Sequence, residues 1–406
     1  MNPRIVPRSE HIMSRRQIRE EALRVLYRLD SSGHIAYLAG GCVRDLLLHR
    51  KPKDFDVVTD APPNRVRGLF RNCRLIGRRF RLAHIIFPGG IVEVATFRSG
   101  QPPPEAGDGA APPPATPMLR TEDGMIVRDN VFGTPEEDAL RRDFTINALF
   151  YSIRDFSIHD YVHGLPDLNR GLIRSIGDPR IRFVEDPVRM IRAIRFASAM
   201  NFAIEDRSYD AIEEFGSKIA LAARSRLYEE ILKLFFCGNA QRVFYYIQKT
   251  GLLRILFPPF GHWLDTPEGL AAVPRMESAF RAIDARTNDN HPVSPALLFA
   301  LIFGAYHEAL AAPRIAHGHN PAATLGAAVT KHLAELAPHM QIPKQVAFTV
   351  ADITAIQPKL IARRPKDVAR LPSRPFFDDA LDYLRFAGQW NGQSPTVATW
   401  WAHHAR

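Results

Sequence analysis

Gly40-Gly41-Cys42-Val43-Arg44-Asp45 follows the apolar run Ile35 to Ala39, and nine residues past Asp45 stands Asp54-Phe55-Asp56, leading into Val57-Val58-Thr59. Short apolar runs bounded by turn residues read as strands, and the residues after the glycines carry a helical pattern, so the passage predicts a strand over 35–39, a Gly-Gly turn, a helix over 43–49 and a strand over 55–59. On a strand, residues two apart share a face. Asp54 and Asp56 would thus hold two carboxylates side by side, about 7 Å apart at their Cα atoms. Mg²⁺ favours hard oxygen ligands, and a pair of such ions about 4 Å apart can activate a hydroxyl and hold the leaving oxygen of an in-line phosphoryl transfer. A glycine pair ahead of a helix lets a phosphate come close to backbone N–H groups, with Arg44 one turn further on to meet its oxygens. Gly-Gly alone is weak and Asp-x-Asp alone is common on surface turns. In this strand-turn-helix-strand order they point together to nucleotidyl transfer.

Around this passage the pattern stays α/β. Asp60 is expected to cap a helix started by Pro62 and Pro63 and ending near Phe70, and strands at 84–87 and 91–96 flank a Pro88-Gly89-Gly90 turn. Residues 100–118, rich in Pro, Gly and Ala, cannot build a core and read as a mobile loop. After about Ile181 strand signals nearly vanish and helical spacing takes over, as in Val188 to Met200 and Leu227 to Phe236. The fold class expected is therefore α/β followed by all-α.

Lys plus Arg number 53 against 43 Asp plus Glu, a formal charge of +10 with pI near 9.7, which favours a polyanionic partner. Arg65, Arg67, Arg71, Arg74, Arg78, Arg79 and Arg81 fall in a stretch of 17 residues without one acid, and Arg78, Arg79 and Arg81 are assigned to phosphate contact. A second basic segment holds Lys359, Arg363, Arg364, Lys366, Arg370 and Arg374. No run of 18 uninterrupted apolar residues offers a membrane span, and the arginine-dotted N-terminus lacks the apolar region of a secretory signal. Cys42, Cys73 and Cys237 lie far apart and form no metal knuckle, which suits a reducing compartment, so the cytoplasm is expected.

The wording GGCVRDLLLHRKPKDFDVVTD resembles the class II branch of the DNA polymerase β-like nucleotidyltransferase superfamily, which holds CCA-adding enzymes and bacterial poly(A) polymerases. Further blocks agree over about two thirds of the chain. Arg141-Arg142-Asp143-Phe144-Thr145-Ile146-Asn147-Ala148-Leu149 resembles the family's RRDFTINAL block, which implies that Arg142 contacts nucleotide and Asp143 joins the catalytic acids Asp54 and Asp56. As a residue type, the same Asp also suits the cap of a helix start, which is the lesser alternative beside the other blocks. Glu93 is either a strand-borne third carboxylate or a structural partner of Arg98. Glu185-Asp186-Pro187-Val188-Arg189-Met190-Ile191-Arg192-Ala193-Ile194-Arg195-Phe196 resembles the EDPxRxxRAxRF helix. That likeness implies that Asp186 and Arg189 read the base edge in place of a template, while Arg192 and Arg195 hold triphosphate. Arg224 to Lys233 resembles the neck helix that supports the site.

The resemblance implies a nucleotidyltransferase head at 31–180 after an N-terminal extension at 1–30, a helical neck at 181–260 and a helical, RNA-binding body at 261–406. It implies Asp54 and Asp56 as ligands of a two-metal Mg²⁺ site, nucleotide contacts from Gly40, Gly41 and Arg44, and ATP as substrate. RNA 3′ ends are the expected partner, with neither DNA nor membrane, and a monomer is expected. Leu75 to Ile85 resembles the local signature of poly(A)-adding members, as does the stretch ahead of the first strand. Many such members carry an Arg-rich tail, whereas this sequence closes on Trp401-Ala402-His403-His404-Ala405-Arg406, from which a weaker hold on RNA is expected. CCA addition is the alternative within the family; a non-enzymatic RNA-binding module or a phosphohydrolase is the alternative outside it.

Overall fold

Short β-branched and aromatic runs of the first 160 residues pair into an eight-stranded mixed sheet, with β1 (Arg4–Val6), β2 (Ala36–Ala39), β3 (Val57–Thr59), β4 (Cys73–Ile76), β5 (Leu82–Phe87) and β6 (Gly90–Thr96) among its strands. β7 (Leu119–Arg120) and β8 (Ile126–Arg128) form a separate small pair, and β9 (Leu149–Ser152) with β10 (Ile158–Asp160) returns to the main sheet, whose order is β1-β10-β9-β2-β3-β6-β5-β4. The structure is a computed structural model that describes residues 2–77, 81–99, 119–120, 126–128, 131–388 and 394–404. The expected loop at 100–118 and the phosphate contacts Arg78 and Arg79 lie outside the described residues.

The chain divides into two compact units, one of 1–189 with 202–211 and one of 190–201 with 212–406. In the first, α1 (Glu20–Ser31), α2 (Gly41–Leu47), α3 (Pro63–Leu69), α4 (Pro135–Arg141), α5 (Gly164–Arg170) and α6 (Pro179–Glu185) accompany the sheet. The N-terminal stretch belongs to this fold: β1 pairs with β10 at one sheet edge, and α1 buries Ala22, Val25, Leu26 and Leu29. The expected hairpin is present as β5 and β6, with Phe87 opposite Gly90. Asp60 does not cap α3. Its Oδ1 instead accepts from the Ile35 backbone N–H at 3.0 Å, tying the start of β2 to the end of β3. A cluster of Ala39, Val58, Phe97, Ala139, Ala148, Phe150 and Ile176 forms core beneath the glycine turn.

α7 (Val188–Met200) and α8 (Asp206–Phe215), separated by β12 (Ala203–Ile204), which pairs with β11 (Leu172–Ile173), carry the chain from the first unit to the second. The second unit is helical: α9 (Arg224–Phe235), α10 (Ala240–Lys249), α11 (Leu252–Leu256), α12 (Pro258–Trp263), α13 (Pro267–Asn288), α14 (Pro295–Ala316), α15 (Pro321–Leu336) and α16 (Lys344–Ala355), with four further helices after it. α14 is long and apolar enough to cross a membrane, yet 72% of its most apolar window is buried inside the protein, which is the position of a core helix. On it His307 is fully buried, and its Nε2 lies 2.9 Å from Nδ1 of His332, equally buried on α15. Edge-on contacts from Phe303 and Tyr306 surround His332.

Burial pushes His332 down to about 3 and His307 well below the ordinary histidine range, so both rings are neutral in the fold. Groups with folded pKa values below the unfolded 6.5 bind protons more readily in the unfolded chain. Their stabilising effect is complete above pH 6.5 and is lost as pH falls below it, at up to about 1.4 kcal/mol per pH unit for each ring. All four tryptophans lie beyond residue 260, so their fluorescence reports the helical unit. Urea midpoints followed this way are expected to fall steeply between pH 6.5 and pH 4.5. Replacing both His307 and His332 by Gln should flatten that slope, and an unchanged slope would assign the acid lability to other groups.

Candidate active site

Backbone register builds the site. β2 pairs with β3 so that Leu38 faces Val57, and with β9 so that Ala39 faces Phe150. One step beyond, the Ala39 N–H donates to the Asp56 carbonyl at 3.1 Å and the Gly40 N–H to the Leu149 carbonyl at 3.2 Å. β3 runs parallel to β6 with Val57 beside Val94, which brings Glu93 level with Asp56. Gly40, Asp56, Glu93 and the 147–149 segment therefore meet at one end of the sheet, although they are scattered over 110 residues of sequence.

Asp54 and Asp56 precede the strand rather than lying within it, since β3 begins at Val57. The expectation of a shared face still holds, because exposure alternates, with Asp54 and Asp56 open to solvent and Phe55 buried between them. The protein packed behind Asp56, then Glu93, push its carboxyl up to about 6, with Asp54 adding to the effect and Arg142 opposing it. The shift thus marks desolvation first and the crowding of negative charge second, and because solvent still reaches the carboxyl it is not a store of folding energy. A divalent cation relieves such crowding. Among the described residues no group of three or more His, Cys, Asp or Glu side chains is arranged to hold a metal ion. A two-carboxylate donor set nevertheless fits Mg²⁺, which keeps several waters and takes phosphate oxygens alongside one or two carboxylates. Glu93 Oε1 lies 3.1 Å from His84 Nε2 across the β5–β6 hairpin, whereas one reading expected Arg98 as its partner.

Gly40 has φ 77° and ψ −133°, and a Cβ there would stand 2.9 Å from Nη1 of Arg142, so both conformation and space require glycine. α2 starts directly after it, two residues earlier than expected, with Arg44 buried in its first turns. Arg44 donates to Asp45 Oδ1 from Nε and Nη2 at 2.8 and 2.6 Å, and to Asn147 Oδ1 from Nη1 at 2.7 Å. Asn147 passes the chain on, its Nδ2 donating to Asp143 Oδ1 at 3.0 Å. Asp143 also accepts from the Phe144 N–H, the turn-capping role that the residue type allows, and its charge acts on Arg189. Arg142 donates to Asp138 from Nε and Nη2 and to the Asn147 carbonyl from Nη1, and its guanidinium lies 5.0 Å from the centre of the Phe150 ring. Cys42, buried beside this network and close to Asp56, has its thiol pushed up to about 12, which makes it a small apolar filler.

Arg182, which sequence reasoning passed over, organises the next layer. Its Nη2 reaches the carbonyls of Leu140, Arg141 and Arg142 at 3.3, 2.7 and 3.1 Å, closing the C-terminal end of α4, while Nη1 pairs with buried Glu185 at 2.7 Å. The only sequence signal was the Arg-x-x-Glu spacing on a helix. Arg189 adds Nη2 to the Arg141 carbonyl at 3.0 Å, and its Nη1 is buried with no hydrogen-bond partner. Burial, then Arg182, push Arg189 down to about 10, opposed by Asp186, Asp143 and Glu185; Arg141 is pushed to about 9 by burial and then by Arg98, Arg182 and Arg189. All stay cationic at neutral pH, so this interior is set for an anion or an acceptor-rich ligand.

α7 carries Arg189, Arg192 and Arg195 half-buried, with Ile191, Ala193 and Ile194 buried between them, as the three-residue spacing predicts. Arg192 and Arg195 belong to the second unit, where both guanidinium groups flank Phe196 and Arg195 lies 4.0 Å from Glu230 of α9. Of the basic run, Arg65, Arg67, Arg71, Arg74 and Arg81 are all exposed on α3, on edge strand β4 and in the segments beside them.

The poly A polymerase head domain family matches residues 36–174, the family described as the probable RNA and SrmB-binding site of polymerase A matches 201–264, and the polymerase A arginine-rich C-terminus matches 317–406. The chain is 42% identical to poly(A) polymerase I of Salmonella typhimurium over 98% of its own length and 85% of the relative's, and 40% identical to that of Escherichia coli O157:H7 over 98% and 84%. A CCA-adding enzyme of Lactobacillus gasseri is 34% identical over 57% of this chain and 54% of the enzyme. In fold, the chain is similar to the Bacillus stearothermophilus CCA-adding enzyme in complex with CTP, at TM-score 0.64 and 24% identity over 95% of this chain and 81% of that one. It is also similar to a CCA-adding enzyme in apo form II, at TM-score 0.67 and 19% identity over 98% and 86%.

Arg182→Ala removes the donor that faces three carbonyls and the 2.7 Å ion pair with Glu185. A loss of roughly 2–4 kcal/mol in the stability of the first unit is expected. Hydrogen exchange should show faster exchange in α4, and Arg182→Lys should restore little, because one ammonium cannot span the three acceptors. Full protection in either variant would remove the clamp from the account.

Proposed function

We propose, because the chain belongs to the poly(A) polymerase I family, that it adds AMP from ATP to RNA 3′ ends without a template and releases pyrophosphate; it is a polynucleotide adenylyltransferase. The observation that carries the site reading is the buried, unpartnered Nη1 of Arg189. With its other end fixed on the Arg141 carbonyl and the Asp186 charge nearby, it offers one donor and one acceptor to the Watson–Crick edge of a base. Adenine answers that pattern through N1 and the 6-amino group, whereas guanine and uracil invert it. Protein thus takes the place of a template strand.

The RNA 3′-hydroxyl attacks the α-phosphate of ATP in line, and pyrophosphate departs. Asp54 and Asp56 would hold Mg²⁺, which when bound supplies positive charge to the phosphates and makes the hydroxyl more acidic. Gly40 and Gly41 let the phosphates approach the backbone, and Arg44 and Arg142, held in place by Asp45, Asp138 and Asn147, neutralise charge as it develops. Asp143 positions Asn147 and through it Arg44, and we carry it forward with Asp54 and Asp56 as the third acid. Arg192 and Arg195 are carried forward as triphosphate contacts, and Arg78, Arg79 and Arg81 as RNA phosphate contacts. The head, neck and body boundaries at 31–180, 181–260 and 261–406 stand as our division of the chain, with the cytoplasm as its place of action.

Cytosine presents the same donor and acceptor order as adenine, through N3 and its 4-amino group, so the Asp186–Arg189 pair also suits CCA addition as a second reading. Purified protein with Mg²⁺ separates the two. Long A-tails on a generic RNA from ATP alone are expected; three nucleotides added only to a tRNA lacking its 3′ CCA, with CTP required, would transfer the chain to the second reading. Asp54→Ala or Asp56→Ala is expected to lower incorporation by about 1,000-fold or more with an unchanged circular dichroism spectrum, and retained activity would end the metal assignment. In Arg189→Ala, discrimination against GTP and UTP should fall by about 10- to 100-fold. Unchanged base choice would remove the protein-template reading.

A further inference from the structure

Beyond the ATP site, the helical unit carries a cavity of about 350 Å³ between α10 and α13, lined among others by Asn239, Gln241, Arg242, Tyr245, Gln248 and Glu277. α10 is strongly two-faced. Ala240, Val243, Phe244 and Ile247 are buried, while Gln241, Tyr245 and Gln248 recur at four and then three residues on another face. Tyr245 is 55% exposed, and the neighbouring Tyr246 meets it edge to face at 5.8 Å and 69°. The Lys249 ammonium stands 5.9 Å from the centre of the Tyr245 ring. An open aromatic ring flanked by primary amides and a cation is the set of groups that takes an unpaired nucleobase: the ring stacks, the amides donate and accept at the base edge, and the cations meet the adjoining phosphodiesters.

We propose that this α10–α13 cavity binds one unpaired nucleotide of single-stranded RNA, its base stacked on Tyr245 and its edge met by Gln241 and Gln248. The inference rests on the RNA-tailing reading above and adds to it a foothold for the strand. The volume lies at the small end of ligand pockets and suits a single nucleotide. Glu277 in the wall disfavours a free triphosphate, so the occupant is a base within a strand rather than a second ATP. Stacking accepts any base, which suits an enzyme whose substrate sequence varies upstream of the growing end.

The test uses the full chain and fluorescence anisotropy with two labelled RNAs, a single-stranded oligonucleotide and a blunt duplex. Tyr245→Ala is expected to weaken binding of the single strand by about 5- to 100-fold and of the duplex by less than about 2-fold, while Tyr245→Phe keeps the single-strand affinity. Gln248→Ala, a change at an exposed position, should cost the single strand about 3- to 10-fold with the melting temperature unchanged. The KM for ATP at saturating RNA should stay the same in all three. Equal losses on both RNAs would make this a phosphate contact and overturn the proposal, as would an unaltered single-strand affinity in Tyr245→Ala. If the unaltered chain binds the single strand through Tyr245 but adds no AMP to it, the tailing reading fails and the nucleotide site stands.

Discussion

Two backbone hydrogen bonds hold the rest in place, from Ala39 N–H to the Asp56 carbonyl and from Gly40 N–H to the Leu149 carbonyl. They set β2 against both neighbours at the point where the chain leaves the sheet for α2. A slip of one residue in the β2–β3 ladder would turn Asp54 and Asp56 to the opposite face, and one in the β2–β9 ladder would carry Asn147 away from Arg44. Gly40 makes the turn possible, because its positive φ sends the backbone into α2 and its missing Cβ admits the Arg142 guanidinium. The carboxylates and arginines proposed to meet metal and phosphate, and the strut of Asn147 and Asp143, thus share one geometric origin.

Much of this was legible before any coordinates. Gly-Gly before a helix and alternating carboxylates at a strand start are local signals, and the exposure pattern of Asp54, Phe55 and Asp56 keeps the alternation although the strand starts two residues later than expected. The arginine spacing on α7 was legible for the same reason, because helical periodicity is local. What stayed hidden depends on long-range pairing. Glu93 meets His84 rather than Arg98 because hairpin register, which a sequence does not print, places those two across from each other. Asp60 precedes a proline-started helix and looks like its cap, yet the backbone N–H of Ile35 captures its carboxylate. Arg182 gave almost no signal, since the carbonyls that it serves lie some 40 residues earlier in the chain.

The arginines of the first unit divide by what holds them. Arg44 and Arg142 are each fixed by a carboxylate and by Asn147, so their positive charge is oriented before any ligand arrives and little reorganisation accompanies binding. Arg182 commits Nη1 to Glu185 and Nη2 to carbonyls, and so sets the turn that bears Arg142 and Asp143. Arg189 is held at one end only. The exposed arginines of α3 and β4 are different again: on an edge strand, like charges also discourage pairing with another chain, so their position suits solubility as well as phosphate contact.

α14 has a further consequence. Twelve successive residues from Ala296 to His307 are buried, so over these turns the helix has no face meant for water, and its last turns reach solvent. An amphipathic helix can wait on a half-formed surface with its polar side outward; α14 cannot. Until its neighbouring helices close around it, its apolar surface is open to other chains and to chaperones, and assembly of the helical unit is a race between enclosure and self-association. The helical unit therefore depends, each time it is made, on how quickly its most apolar segment is put out of reach.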